Sequence, residues 1–272
     1  PYTGRPSQYA GNGRMDTLNA TKNAFATVIG TLNSNESMTG TLSSGVANFL
    51  GGVANKVTNS NGAVVIGAGN TVKESSNYID ASGYTGHPDS VTALQQSFID
   101  GLQNYSGGAT LVLGGGNQAE YTQASQLIGV NNTLKGTSSS ISQYNALNGY
   151  KNTAENVTQT YITGLENTVD NSLQVKVLGD NNTGTSIKNT SLIGTGNTVS
   201  SSQSDIVIGD YHTLSGGGNN VIIGSMETQD QPQAQQVTET YSVTANGVSQ
   251  DISTEKVPVK THKSDISDTV MI

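Results

Sequence analysis

The run Ser191-Leu-Ile-Gly-Thr-Gly-Asn-Thr-Val199 is followed fifteen residues later by Ile206-Val-Ile-Gly-Asp-Tyr-His-Thr-Leu214, and fifteen after that by Val221-Ile-Ile-Gly-Ser-Met-Glu-Thr228. Each copy is an apolar run, a glycine, two variable residues, then Asn-Thr or a substitute. Working outward, clear copies stand at 64–72, 126–134 and 161–169, and degenerate ones at 27–33, 49–57, 111–119, 146–154 and 176–184. The anchoring glycines are Gly30, Gly52, Gly67, Gly114, Gly129, Gly149, Gly164, Gly179, Gly194, Gly209 and Gly224. Every step from Gly149 to Gly224 is 15 residues. A fixed period of this kind marks stacked repeats, each burying its apolar side against its neighbours.

Two residues before the glycine the column is apolar in every copy, as at Val65, Leu127, Leu192, Val207 and Ile222. It must face a dry core. The next column holds Ile66, Ile128, Ile193, Ile208 and Ile223, with Gly51, Asn148 and Thr163 as exceptions. Neighbours on a strand point to opposite faces, so a strand apolar at both is covered on both. One column lines the inside of a coil, and the other needs a second surface, which oligomerisation supplies. The glycine and the Asn three residues later are read as turn residues that tolerate positive φ. The return strand starts two residues on, at Val57, Val72, Leu134, Val169, Val199 and Leu214. Fifteen residues then make two short strands and two turns. The expected fold class is all-β, a parallel β-solenoid whose eleven coils, stacked ~4.8 Å apart, form a rod on the order of 50 Å long.

Composition agrees with a thin core. Of 272 residues, 33% are hydrophobic and 5% aromatic, with no Trp, too few for an ordinary compact domain of this length. Only 12% are charged, and Val and Ile recur at fixed places, which argues against disorder. A net charge of −8 with scattered Lys and Arg disfavours a nucleic-acid partner. No apolar run is long enough to span a bilayer. The opening PYTGRPSQ lacks the basic start and apolar segment of a secretory signal, so the signal and anchor of an exported parent are expected outside this chain.

Catalytic constellations are not evident. The chain has no Cys, and His87, His212 and His262 share no local motif with Ser, Asp or Glu. His212 falls in the Asn column and reads as a turn residue. Leu113-Gly-Gly-Gly-Asn117 lacks the Lys of a phosphate loop and falls in register as a coil turn. Asp180-Asn181-Asn182 reads as a solvated turn rather than a calcium site. The expectation is a non-enzyme with no catalytic residue, metal or cofactor.

Two long excursions break the period. Between Gly67 and Gly114, His87-Pro-Asp-Ser90 precedes Val91, Leu94, Phe98, Ile99 and Leu102, a helical spacing with Asp89 or Ser90 as cap. After Gly224, two β-prone runs flank Ala245-Asn-Gly247, a hairpin signal. The expected organisation is an N-terminal segment (1–24), the roll (25–228, helical insert about 78–108), a hairpin excursion (229–264) and the start of a further repeat (265–272). An excursion the period does not need is a candidate binding element, here Thr240, Tyr241, Asn246, Gly247, Asp251 and Lys256.

The copies Ala63-Val-Val-Ile-Gly67, Asp205-Ile-Val-Ile-Gly209 and Asn220-Val-Ile-Ile-Gly224 resemble the S-V-A-I-G head repeat of trimeric autotransporter adhesins of the YadA-like type. The resemblance covers most of 25–224. It implies a left-handed β-roll, a homotrimer packed on one apolar column, and a place on the outer membrane of a Gram-negative cell. Membrane attachment would come only through a C-terminal anchor missing here, as are the family's neck and stalk. It also implies attachment to host cells, extracellular matrix or other bacteria, through surfaces that differ among relatives. Two alternatives stand beside it: a structural spacer within a surface fibre, and an ice-binding solenoid using the Thr that follows the Asn column, which reads as a single rank on a turn.

Overall fold

The computed structural model describes residues 20–21, 26–36, 45–75, 88–105, 108–225, 238–245, 248–255 and 270–271. It is an all-β parallel solenoid. The apolar runs form five-residue strands such as Phe49–Val53, Leu111–Gly115, Tyr161–Leu165 and Ser191–Thr195, shortened to three at Ile206–Ile208 and Val221–Ile223. These stack in parallel into a 12-stranded sheet. The return strands, among them Thr133–Lys135, Thr168–Asp170 and Thr198–Ser200, stack into an 11-stranded sheet. Register is the one the period dictates: Leu192 lies beside Val177 on one side and Val207 on the other.

From Thr122 onward the coils also have a third pairing that the sequence reading lacks. Thr122–Gln123 pairs with Ser142–Gln143, and isolated parallel bridges continue from Gln143 through Thr158, Leu173, Lys188 and Gln203 to Gly218. The segment read as a plain turn is the third side of the coil.

Insertions leave the stack intact. Gly67 pairs with Gly114 across 47 residues, Gly129 with Gly149 across 20, and Val270 with Val221 across 49. The first of these contains the helix Pro88–Tyr105. Pro occupies its first position, where a missing N–H costs nothing, so Asp89 and Ser90 lie in the first turn rather than at the cap. The last contains an antiparallel pair, Thr238–Ala245 with Val248–Glu255.

The core is a single column. Leu50, Val65, Leu127, Leu147, Ile162, Leu192, Val207 and Ile222 are fully buried from the long strands, and Val57, Val72, Leu134, Val169, Val199 and Leu214 meet them from the short ones. Full burial of each contributes about 1.5–3 kcal/mol. Volume is balanced within a coil. Gly184 stands where most other coils carry Val, Leu or Ala, and a Cβ there would lie 2.5 Å from Ile187 Cδ1. Ile187 fills the space.

The Asn column departs from its expected role. Positive φ belongs to the residue before it, as at Leu32, Ala54, Gly69, Asn131, Lys151, Glu166, Asn181 and Tyr211. The Asn side chains point inward and are buried from Asn33 through Asn197. Asn182 is typical. Its backbone N–H donates to Asn167 Oδ1 at 3.0 Å, and its Nδ2 donates to the same oxygen at 3.0 Å and to the Gly194 carbonyl at 2.7 Å. Its own Oδ1 accepts from Asn197 N at 3.0 Å and Nδ2 at 2.9 Å. The ladder thus satisfies backbone groups at a corner where the sheet hydrogen bonds stop.

Candidate functional site

The long strands put their core column inside and the two flanking positions outside. Val65, Leu127, Leu192, Val207 and Ile222 are all at 0% exposure. Their neighbours Ile66, Ile193, Ile208 and Ile223 point outward at 36–44% exposure, and Ile128 is half-buried. The same outer face carries exposed Phe49, Tyr161 and Ile206 on one side of that column, and Val53, Val130, Tyr150 and Leu165 on the other. Asn148 and Thr163 interrupt it, as do Lys176, Asp180 and Asp210. Even so, a row of apolar side chains runs from Ile29 to Ile223 with no cover among the described residues.

The outer face of the 11-stranded sheet is the reverse. Its strands alternate inward Val, Leu or Ala with outward Thr, Ser, Lys, Glu and Asp, as in Thr133-Leu-Lys135 and Thr168-Val-Asp170. Lys73 Nζ lies 2.6 Å from Glu120 Oε1 one coil on, and this hydrogen bond raises the lysine's pKa above its ordinary value. The pair is exposed and screened, so its contribution is small. The Thr rank expected on a turn lies on these strands, with Thr133, Thr153, Thr168, Thr183, Thr198 and Thr213 in register. Water suffices for this face.

His212 is not a surface turn residue. It is 3% exposed and replaces Asn in the ladder: its backbone N–H donates to Asn197 Oδ1 at 3.0 Å, and its Nε2 donates to the Gly224 carbonyl. Asp180 Oδ1 accepts the Leu165 N–H at 2.9 Å, and Asn182 is a ladder rung, so neither is the solvated turn residue expected. Asn117 is likewise a rung, and Leu113, Gly114 and Gly115 lie in the strand Leu111–Gly115 rather than in the coil turn expected there. A buried carboxylate escaped the sequence reading. Asp205 accepts Asn220 N at 3.0 Å and Nδ2 at 2.8 Å on Oδ1, and the Ser202 hydroxyl at 2.5 Å on Oδ2. Among the described residues, no three His, Asp or Glu side chains gather as metal ligands, and no helix is long and apolar enough to cross a membrane.

Of the hairpin candidates, Thr240 pairs with Ser253, Tyr241 with Ile252, and Asp251 with Ser242. Asn246, Gly247 and Lys256 lie outside the described residues, as do His87 and His262. No known protein family matches this chain, and neither does any curated protein or solved structure.

Proposed function

We propose that this chain is the head of a trimeric autotransporter adhesin: a left-handed β-roll, packed as a homotrimer on a Gram-negative cell surface, that attaches the cell without catalysis. The observation that carries the reading is the uncovered apolar row from Ile29 to Ile223. An exposed apolar surface of that extent, though broken at Gly51, Asn148 and Thr163, marks an interaction site, and one that recurs along a rod suits an identical rod laid alongside. The S-V-A-I-G-like runs supply the family.

Light scattering on the isolated chain is expected to give the mass of a trimer. Changing Ile193 and Ile208 together to Lys is expected to give a folded monomer, because both point outward and the core column is untouched. A stable monomer of the unchanged chain would remove this part of the proposal. Attachment is tested separately, with beads coated by the chain and offered to host cells, matrix and bacteria. Deleting 237–259 with a Gly-Ser join is expected to spare the trimer and weaken attachment. Beads that adhere to nothing support the spacer reading instead.

The Thr rank favours one rival, an ice-binding face, since its placement on strands makes it flat. Three of its six rungs, however, carry Lys135, Glu155 or Asp170 two residues on, which breaks the hydroxyl array. Thermal hysteresis in solution would replace the adhesin reading with this one.

A further inference from the structure

The outer face of the long strands has two edges, and each rung puts one residue on each. Lys176 and Asp180 are the first and last residues of one such strand. Tyr161 and Leu165 hold the same places one coil before, and Ser191 and Thr195 one coil after. The edges match in character. Apolar Phe49 has Val53 and Tyr161 has Leu165, hydroxyl-bearing Ser191 has Thr195, and cationic Lys176 has anionic Asp180. Yet the two residues of a rung do not meet. Four residues of strand hold them roughly 13 Å apart, and the ion pairs among the described residues lie elsewhere, at Lys73–Glu120 and Lys151–Glu166.

A match between residues that cannot meet in one chain has its use between chains. Rods related by rotation about an axis parallel to their length lay one edge of each face against the other edge of the next, at the same rung. The first residue of a strand then meets the last residue of the neighbour's equivalent strand. Antiparallel rods, related by a half-turn about an axis across them, bring each edge against itself instead. Lys176 would then lack a carboxylate, because Asp180 and Asp210, the acidic residues of this face among those described, both lie on the opposite edge.

The two carboxylates differ in what they have left to offer. Asp210 Oδ1 accepts the Thr195 N–H at 2.7 Å and its Oδ2 accepts the Ser225 hydroxyl at 3.0 Å, so it is satisfied within its own chain, although its rung carries Ile206 on the other edge. Asp180 commits Oδ1 alone, to the Leu165 N–H at 2.9 Å, and the Lys176 ammonium has no acceptor among the described residues. The other mixed rungs, Gln126 with Val130 and Val221 with Ser225, carry no charge.

We infer that Lys176 of each copy pairs with Asp180 of the next, in a ring of ion pairs that holds the copies parallel and in register. The inference rests on the homotrimer reading and names what aligns it. Apolar rungs alone let rods slide by a coil, ~4.8 Å, with little change in what they bury. A slip of one coil sets Lys176 against Leu165 or Thr195, and Asp180 against Tyr161 or Ser191. Both charges then lose water without gaining a partner, which disfavours the slipped assembly.

Sedimentation equilibrium of the intact chain and its variants tests the pairing. Lys176→Glu sets carboxylate against carboxylate, and is expected to raise the concentration at which the trimer dissociates by roughly tenfold or more. Asp180→Lys is expected to do the same. Combined in one chain, the two changes reverse the pair and are expected to recover most of the loss. Far-UV circular dichroism checks that each variant is folded. A second pair leaves the Asp180 bond to Leu165 untouched. The chain has no Cys, so Ser191→Cys with Thr195→Cys gives a unique site for a short bismaleimide, and a covalent trimer is expected on a denaturing gel. Ser191→Cys with Val130→Cys, four rungs away, is expected to stay uncrosslinked. Trimers whose charge changes simply add when combined, or that crosslink no better through Thr195 than through Val130, overturn the inference and leave the trimer standing. A chain that is monomeric at every concentration removes the trimer and the pairing with it.

Discussion

Replacing Gly194 with Ala is expected to cost more than about 4 kcal/mol, in the range reserved for strain or disrupted cores. A Cβ on Gly194 would stand 2.0 Å from the Gly209 carbonyl oxygen and 2.7 Å from its carbon, and the residue's φ of +127° is one that side-chain-bearing residues avoid. The carbonyl cannot retreat. It accepts Asn197 Nδ2 at 2.8 Å, so moving it breaks a rung of the buried ladder. Nor can the coil shift as a whole, because Gly179 meets the Gly194 carbonyl in the same way. Gly69 is the control. Its φ is +66°, a Cβ there meets nothing within 4 Å, and the same turn position holds Asn131 and Asn181 at +56° elsewhere. Gly69→Asn is expected to stay within about 1 kcal/mol of the unchanged chain, since Asn is well tolerated in the left-handed region. Urea unfolding followed by far-UV circular dichroism compares them. Equal stabilities for the two variants would mean that the glycine stack does not set the coil spacing.

The period carried the fold because both of its physical requirements leave marks on residue types. A column that must stay dry tolerates no polar exception, which is why Val28 to Ile222 could be placed inside. The column beside it admits Gly51, Asn148 and Thr163, and it is the one that faces outward. The Asn column was misread for a reason that the residues themselves contain. The position at positive φ varies from copy to copy, holding Gly69, Gly116 and Gly196 but also Asn131, Asn181, Leu32, Lys151 and Tyr211. From Asn33 to Asn197 the column never holds Gly. What it needs is a carboxamide, not a backbone angle. The third side of the coil left no such trace, because its bridging positions run through Gln143, Thr158, Leu173, Lys188, Gln203 and Gly218 and share no residue type.

The largest effect after the glycine stack is expected in the ladder itself. Asn182→Ala removes two donated bonds, to Asn167 Oδ1 and the Gly194 carbonyl, and takes the acceptor away from Asn197 N and Nδ2. The two orphaned donors on Asn197 are buried, and each costs about 1–3 kcal/mol, so a loss of roughly 3–5 kcal/mol is expected. Asn182→Asp separates hydrogen bonding from mere shape. The carboxylate keeps the acceptor for Asn197 but turns an oxygen toward Asn167 Oδ1 and the Gly194 carbonyl, where a donor is required. Burial and facing acceptors favour its protonated form, raising the folded-state pKa above the unfolded one. Native chain then binds more protons than unfolded chain between the two values, so stability falls as pH rises through that window and recovers on acidification. The Asp variant should therefore be most damaged at neutral pH and regain part of its stability in mild acid, relative to the unchanged chain, while the Ala variant shows no such recovery. Asp205 shows the complementary case. There the neighbours Asn220 and Ser202 present only donors, and a buried carboxylate is accommodated. Parallel pH dependence for the two Asn182 variants would show that the ladder serves as filler rather than as a chain of committed hydrogen bonds.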